Sequence, residues 1–271
     1  MSDKDDKIEA LIKRYGGNLA QAKPVSTGRA DALIERLMGK PAKGMDLYVI
    51  FDATGSMAPY IDVVRRNIDT VTSELLGKGD VRISVNGMLD HSNENWMQDH
   101  ALSNDADAIK DSIYSIVHTS NTDTPEAYEC AALFFSKRLV IESKDRNKVV
   151  VLIGDSVPHG MMHDYNIGMY DDGCPFGVDY KQAFTHLHEQ CDSFYFVGCG
   201  DEFTQYQQKL VDQNKGQFVH LDNMVEVLPE LLVAMTRKSQ SESAYNDYMH
   251  KLEAKNPDAA QKIYALLPGR K

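Results

Sequence analysis

In YVIFDATGSMAPYI (residues 48–61) an apolar run stops at Asp52, and Thr54, Gly55 and Ser56 follow before helical spacing begins. A strand that ends in a carboxylate and two hydroxyls two residues apart offers hard oxygen donors from a single turn. A second apolar run, VVVLIGD, ends in Asp155. Ligands of an open parallel sheet bind outside the carboxyl ends of its strands, so Asp52 and Asp155 are expected to meet at one edge. Gly55 is expected to let the turn bend tightly. Few carboxylates, several neutral hydroxyls and no soft ligand suit Mg²⁺ or Mn²⁺ rather than Zn²⁺ or Cu²⁺. An ion so held keeps residual positive charge and room for waters, and can accept an acidic group from outside.

The elements that must position these residues are legible as alternating patterns. Apolar, β-branched or aromatic runs at 47–51, 149–154 and 194–198 suit strands buried on both faces of a parallel sheet. Residues 81–89 and 217–221 are weaker strands, and NWMQDHALS suits a short antiparallel edge strand after a turn at 91–95. Ile61, Val64, Ile68, Val71 and Leu75 recur at helical spacing, as do Ile109, Ile113 and Ile116. Further helices are expected over 125–140, 179–190, 203–214 and 224–238. The alternation predicts an α/β protein: a doubly wound, mostly parallel central sheet with helices on both faces, plus N- and C-terminal helical extensions.

The expected division is a helical extension at 1–43, the α/β domain at 44–238 and a second extension at 239–271. Ile8, Leu11, Ile12 and Tyr15 form one stripe near the N-terminus, and Ala30, Leu33, Ile34, Leu37 and Met38 another. Tyr245, Tyr248, Met249 and Leu252, then Ile263, Leu266 and Leu267, repeat the pattern at the other end. Such stripes either cover the main domain or dock a partner, and the first is the commoner use of an amphipathic surface helix.

The chain carries 40 acidic against 29 basic side chains, a net charge of −11. With no basic block, binding to nucleic acid or an anionic membrane is not expected. No apolar run approaches the ~20 residues that span a bilayer, and MSDKDDKIEALIKRYGG places charges where an export signal needs an apolar core. The four cysteines, Cys130, Cys174, Cys191 and Cys199, form no C-x-x-C pair. They read as reduced thiols of a cytoplasmic protein.

DATGSM resembles the D-x-S-x-S signature of von Willebrand factor A domains, with Thr54 in place of the first serine. That family holds a divalent ion at a metal-ion-dependent adhesion site, completed by a threonine from a later loop and an aspartate ending the next parallel strand. SNTDTPEAYECAALFF (120–135) resembles the threonine loop, with Thr122 at the matching position and Thr124 as the alternative. VVVLIGD supplies Asp155. The resemblance covers 44–238 and implies a site of Asp52, Thr54, Ser56, Thr122 and Asp155. In it Ser56 with Thr54 or Thr122 binds the ion directly, and the aspartates bind directly or through water. FDATGSMAPYI, LDHSNENW and GDSVPHGMMH…DDGCPFG are similar to the A domains associated with atypical alpha-kinases. The segments outside 44–238 are too short for a kinase domain, so no kinase activity is expected.

The same residue types also serve plain structural ends. Asp52 could cap the helix that begins near Pro59, and Thr124-Pro125 has the form of a cap followed by an N1 proline. Asp90 and His91 either face the same edge or start a turn. In PHGMMHDYNIGMYDDGCPFG (158–177), His159, His163, Asp172 and Cys174 could in principle bind zinc. One cysteine and long spacing argue against it, so zinc is not expected. The loop is expected instead to border the metal site, whose rim would comprise Asp90, His91, Asp123, Thr124, His159 and His163. The expected function is a non-enzymatic module that binds a partner's Asp or Glu through Mg²⁺ or Mn²⁺. Two alternatives are a metal-dependent phosphoryl-transfer or hydrolytic enzyme and a scaffold with an unused metal site. Phosphatases with an aspartate nucleophile resemble D-x-D-x-T, however, and position 54 is threonine.

Overall fold

A computed structural model describes residues 43–77, 80–119, 125–167, 171–221 and 224–268. The stripes expected at Ile8–Tyr15 and Ala30–Met38 lie outside these residues.

Unbroken apolar runs make the central strands, since a strand covered by helices on both faces has no side to leave polar. β1 (Met45–Asp52) is buried along its whole length. It pairs in parallel with β2 (Val81–Met88) on one side and β4 (Asn147–Gly154) on the other. β5 (Ser193–Gly198) and β6 (Gln217–His220) continue the parallel sheet beyond β4. β3 (Met97–Gln98) adds a two-residue antiparallel edge to β2, giving the order β3-β2-β1-β4-β5-β6.

Period-two alternation sends Leu47, Val49 and Phe51 into one core and Tyr48 and Ile50 into the other. The first core is covered by α1 (Ala58–Leu76), α2 (Ala106–Ser115) and α7 (Leu228–Gln240). The second is covered by α3 (Tyr128–Glu142), α4 (Met161–Tyr165), α5 (Tyr180–Gln190) and α6 (Thr204–Gln213). The expected stripe of Tyr245, Tyr248, Met249 and Leu252 belongs to α8 (Glu242–Lys255) and is buried in the first core. Ile263, on α9 (Pro257–Leu266), joins it. These helices complete a hydrophobic layer of the same body.

Three of the sequence's expectations about local structure are corrected. Asp52 does not cap α1: the N-cap is Met57, with no side-chain cap bond, and Pro59 lies in the first turn. Nor does helix start at Pro125. Glu126 forms a parallel bridge with Pro158, and its N–H donates to Val157 O at 3.0 Å. Helix therefore begins only at Tyr128. Gly55 opens a 3-10 turn (Gly55–Met57) and is not among the glycines with positive φ. The tight bend comes from the Asp52 side chain, which accepts the Thr54 N–H.

At the opposite end of β1, Asp46 is fully buried and accepts from Arg82 Nε (2.8 Å), Arg82 Nη2 (2.6 Å) and Arg146 Nε (2.7 Å). Burial alone raises its pKa, but the hydrogen bonds to Arg82, Ser143 and Arg146 outweigh that and hold it below the usual carboxylate range. Both arginines keep a solvent-facing side, so loss of the carboxylate strands neither completely. Asp46→Ala is expected to cost about 2 kcal/mol, the scale of hydrogen bonds to a charged group, measured by urea denaturation.

Candidate functional site: the carboxyl edge of β1 and β4

β1 and β4 are neighbours, and the aspartates that close them, Asp52 and Asp155, come out at the same edge. Asp52 is fully buried. Its Oδ1 accepts from the Thr54 N–H at 2.9 Å and the Thr54 hydroxyl at 2.6 Å. Its Oδ2 accepts from the Tyr128 hydroxyl at 2.7 Å. Ser56 Oγ lies 3.4 Å from Thr54 Oγ1, and the Ser56 hydroxyl also hydrogen-bonds Asp155. The four donors read from the two apolar runs are thus one connected group. Thr122, Asp123 and Thr124 lie outside the described residues. The flanks of that segment nevertheless run beside the strand ends: Thr119 bridges Thr54 and Glu126 bridges Pro158.

Among the described residues, the charges that shift the Asp52 and Asp155 carboxyls are acidic. Burial first, then the charge of Asp155, pushes the Asp52 carboxyl up to about 6, against the pull of the bonds from Thr54 and Tyr128. Burial also raises Asp155, helped by Glu202 and opposed by Ser56. Arg65 is engaged within the protein, next to His118, which itself hydrogen-bonds the Ala53 backbone. The Arg65 guanidinium bonds Asp62 (3.0 Å) and the carbonyls of Ile113 (3.1 Å) and Ile116 (2.5 Å). Two ionisable carboxyls that disfavour each other's charge, beside two hydroxyls, form a donor set that a divalent cation fits. Asp52, Thr54, Ser56 and Asp155 are the residues that would hold it. A cavity of about 470 Å³ opens between Leu89, Asn93, Glu94, Gln98, Asp99 and Thr119, the last of which bridges Thr54.

Tyr128 was not legible as a site residue. Its hydroxyl donates to Asp52 and accepts from the Ser156 N–H at 3.1 Å, tying the two strand ends together. A Cβ on Gly154 would fall 2.0 Å from this hydroxyl and 3.2 Å from Asp52 Cβ, so the glycine is what lets the tyrosine in. Gln207 on α6 props the same turn by donating to Ser156 O at 2.8 Å.

The expected rim residues divide. Asp90 does start a turn, accepting the Ser92 N–H at Oδ2, and it is also buried, with Oδ1 3.3 Å from His159 Nε2. His91 and His159 both contact Glu129, the residue after Tyr128. Cys174 approaches the same place. His163 and Asp172 are exposed and do not contact Glu129, though with His159 and Cys174 they line one open cavity of about 410 Å³. The 158–177 chain is fastened by Asp171, which accepts from the N–H groups of Gly160 (2.6 Å), Met162 (3.2 Å) and Gly173 (2.9 Å). Gly160 makes this possible with a φ of +85°. Glu129 and Cys130 carried no sequence signal as site residues. α3 is buried around most of its circumference, so no periodic stripe distinguishes functional from packing positions.

Among known structures the fold has clear counterparts. The chain is similar to a von Willebrand factor type A protein from Catenulispora acidiphila (13% identity, TM-score 0.51), covering 73% of this chain and 43% of that one. It is similar to a D319A mutant of the PilB minor pilin of Streptococcus sanguinis (12%, TM-score 0.52; 74% and 62%). It is also similar to the pilus adhesin SpaC of Lactobacillus rhamnosus GG in its open conformation (12%, TM-score 0.50; 74% and 30%). The match spans less than two thirds of the length of each of these structures. No family model and no curated protein matches the sequence. The chain is therefore an α/β protein of the von Willebrand factor A-like, Rossmann-like architecture. Among the described residues no helix is long and apolar enough to cross a membrane.

Proposed function

We propose that the chain is a protein-binding module that holds a divalent cation, Mg²⁺ or Mn²⁺, at the carboxyl edge of β1 and β4. In this reading a partner's Asp or Glu completes the ion's shell. The observation that carries it is the meeting of Asp52 and Asp155 with the Thr54 and Ser56 hydroxyls, where the charges that shift both carboxyls are acidic. The ion would supply positive charge opposite these carboxyls. The residues do the rest: Thr54 and Tyr128 fix the Asp52 carboxylate, and Ser56 sets Asp155. Thr122 would add a further hydroxyl from the chain between the two bridged flanks.

A binding role is favoured over phosphoryl transfer by the engagement of Arg65 with Asp62 and the carbonyls of Ile113 and Ile116, which occupies its guanidinium donors. Binding by nucleic acid or an anionic membrane is disfavoured by the net charge of −11. The free cysteines fit a reducing, cytoplasmic setting.

The test uses Mn²⁺ as a paramagnetic probe. Bound Mn²⁺ that retains waters enhances water-proton relaxation, and a glutamate-rich peptide that enters the shell is expected to lower the enhancement while a lysine-rich peptide leaves it unchanged. An enhancement indifferent to the acidic peptide, or none at all, contradicts the reading.

A further inference from the structure

A second set of ligand atoms lies apart from Asp52 and Asp155, and its chemistry is different. His91 Nε2, a Glu129 carboxylate oxygen, Cys130 Sγ and Cys174 Sγ all fall within 4.8 Å of one another. Their residues come from three places in the chain: the turn after β2, two consecutive positions in the first turn of α3, and the end of the 158–177 chain. The side chains of His91 and Glu129 are 4% and 0% exposed, and Cys130 is buried.

The spacings suit a tetrahedral thiolate–imidazole site. Metal–ligand lengths of about 2.3 Å to sulfur and about 2.05 Å to nitrogen place sulfur and nitrogen about 3.6 Å apart, and two sulfurs about 3.8 Å apart. Cys174 Sγ lies 3.6 Å from His91 Nε2, and the two sulfurs are 3.4 Å apart. A disulfide needs sulfurs at about 2.05 Å and makes no use of an imidazole and a carboxylate beside it. His91 Nε2 and Glu129 Oε1 are 2.8 Å apart, a hydrogen bond that a metal replaces by displacing the proton between them. We propose that His91, Glu129, Cys130 and Cys174 hold a structural zinc ion.

The surroundings are built to orient this set. His159 donates its backbone N–H to Glu129 Oε2 at 3.1 Å, and its Nδ1 lies 3.3 Å from Oε1. Its Nε2 faces Asp90 Oδ1 at 3.3 Å. Groups behind a ligand fix its orientation in this way at metal sites, and here they fix that of the Glu129 carboxylate. Phe176 and Trp96 pack edge-on against the His91 ring, with centroids 4.7 and 5.7 Å away. Binding releases the two thiol protons and the His91–Glu129 proton, so the four ligands carry three negative charges against the ion's two positive ones. Four protein ligands close the shell, which is the mark of a structural rather than a catalytic zinc. Its effect is to tie the turn after β2 and the 158–177 chain to the helix turn that carries Tyr128. The soft, sulfur-bearing set and the all-oxygen set at Asp52 would thus sort two different metals, and this inference does not rest on the Mg²⁺ reading.

The test is metal analysis of the full chain purified under reducing conditions without chelator, followed by Co²⁺ titration of the stripped protein. One equivalent of zinc is expected per chain. Co²⁺ is expected to give the intense visible bands of a tetrahedral centre and a thiolate charge-transfer band, both abolished by one equivalent of zinc. Cys174→Ser and His91→Gln are each expected to weaken zinc binding at least about tenfold, while Cys191→Ser leaves it unchanged. A wild-type chain that holds no zinc and gives no tetrahedral cobalt spectrum overturns the proposal, whatever the variants do. So does a Cys174→Ser protein of undiminished affinity, or a Cys130–Cys174 disulfide in the reduced preparation.

Discussion

Saturating Mg²⁺ at pH 7 is expected to raise the melting temperature of the chain by about 5–10 °C, and Asp52→Asn to abolish that response completely. At a hundredfold excess over its dissociation constant a ligand adds about 2.7 kcal/mol, and for a chain of this size each kcal/mol shifts the midpoint by about 2–4 °C. The pH dependence follows from the position of Asp52. Burial, then the charge of Asp155, places its folded pKa at about 6, above the about 3.9 of an unfolded aspartate. Between those values the folded state binds the extra proton, so metal-free stability falls as pH rises from about 4 to about 6 and is level above. Mg²⁺ needs the ionised form, and its stabilisation therefore grows through the same window and disappears at acid pH. Asparagine keeps an oxygen for the Thr54 N–H and removes one of two repelling charges. Metal-free Asp52→Asn is accordingly expected to melt at or above the wild type at pH 7. A metal-free variant that melts well below wild type there would show that the Asp52 charge is satisfied by the protein itself.

Gly154→Ala is expected to unfold about 4 kcal/mol more easily than wild type and to bind Mg²⁺ at least about tenfold more weakly. The added methyl would sit 2.0 Å from the Tyr128 hydroxyl. Tyr128 is fully buried against Phe196, with ring centroids 5.8 Å apart. Overpacking of this kind costs about 1–3 kcal/mol, and breaking the buried bonds to Asp52 and the Ser156 N–H adds about 1–3 more. Asp52 Oδ2 also loses the donor that aims it. Urea denaturation reads the first effect and calorimetry the second. Tyr128→Phe serves as the comparison, since it removes the hydroxyl without the added methyl and is expected to recover the overpacking part of the loss. Equal stability of Gly154→Ala and wild type would mean that Tyr128 does not clamp the strand ends.

These two predictions also mark what was legible in the sequence. The strands at 47–51, 149–154 and 194–198 were readable because burial on both faces leaves a run with no polar residue, and the structure extends each by only a few positions. Asp52 and Asp155 were readable because strand order follows from the alternation of strands with helices, and carboxyl ends of parallel strands share an edge. Tyr128 was not, since its role depends on a glycine 26 positions later that leaves room for one hydroxyl. The start of α3 was misjudged for a related reason. Thr124-Pro125 has cap chemistry, yet the pairing of Glu126 with Pro158 takes residues that helix would otherwise claim.

The sulfur-bearing cluster shows the same limit from the other side. In sequence His159, His163, Asp172 and Cys174 are ligand types close together in one loop. In the fold His163 and Asp172 are exposed, while His91, Glu129 and Cys130 arrive from elements up to 83 positions away. Spacing along a chain finds sites made by one segment; it does not find convergence of three.

The central claim, that the carboxyl edge of β1 and β4 holds a divalent cation, is tested most directly by isothermal calorimetry of Mg²⁺ into the chelator-treated, zinc-reloaded chain at pH 7, beside Asp52→Asn. Saturable binding of one equivalent by wild type and none by the variant is the predicted result. No heat from a folded wild-type chain, or the same isotherm from both proteins, would contradict it.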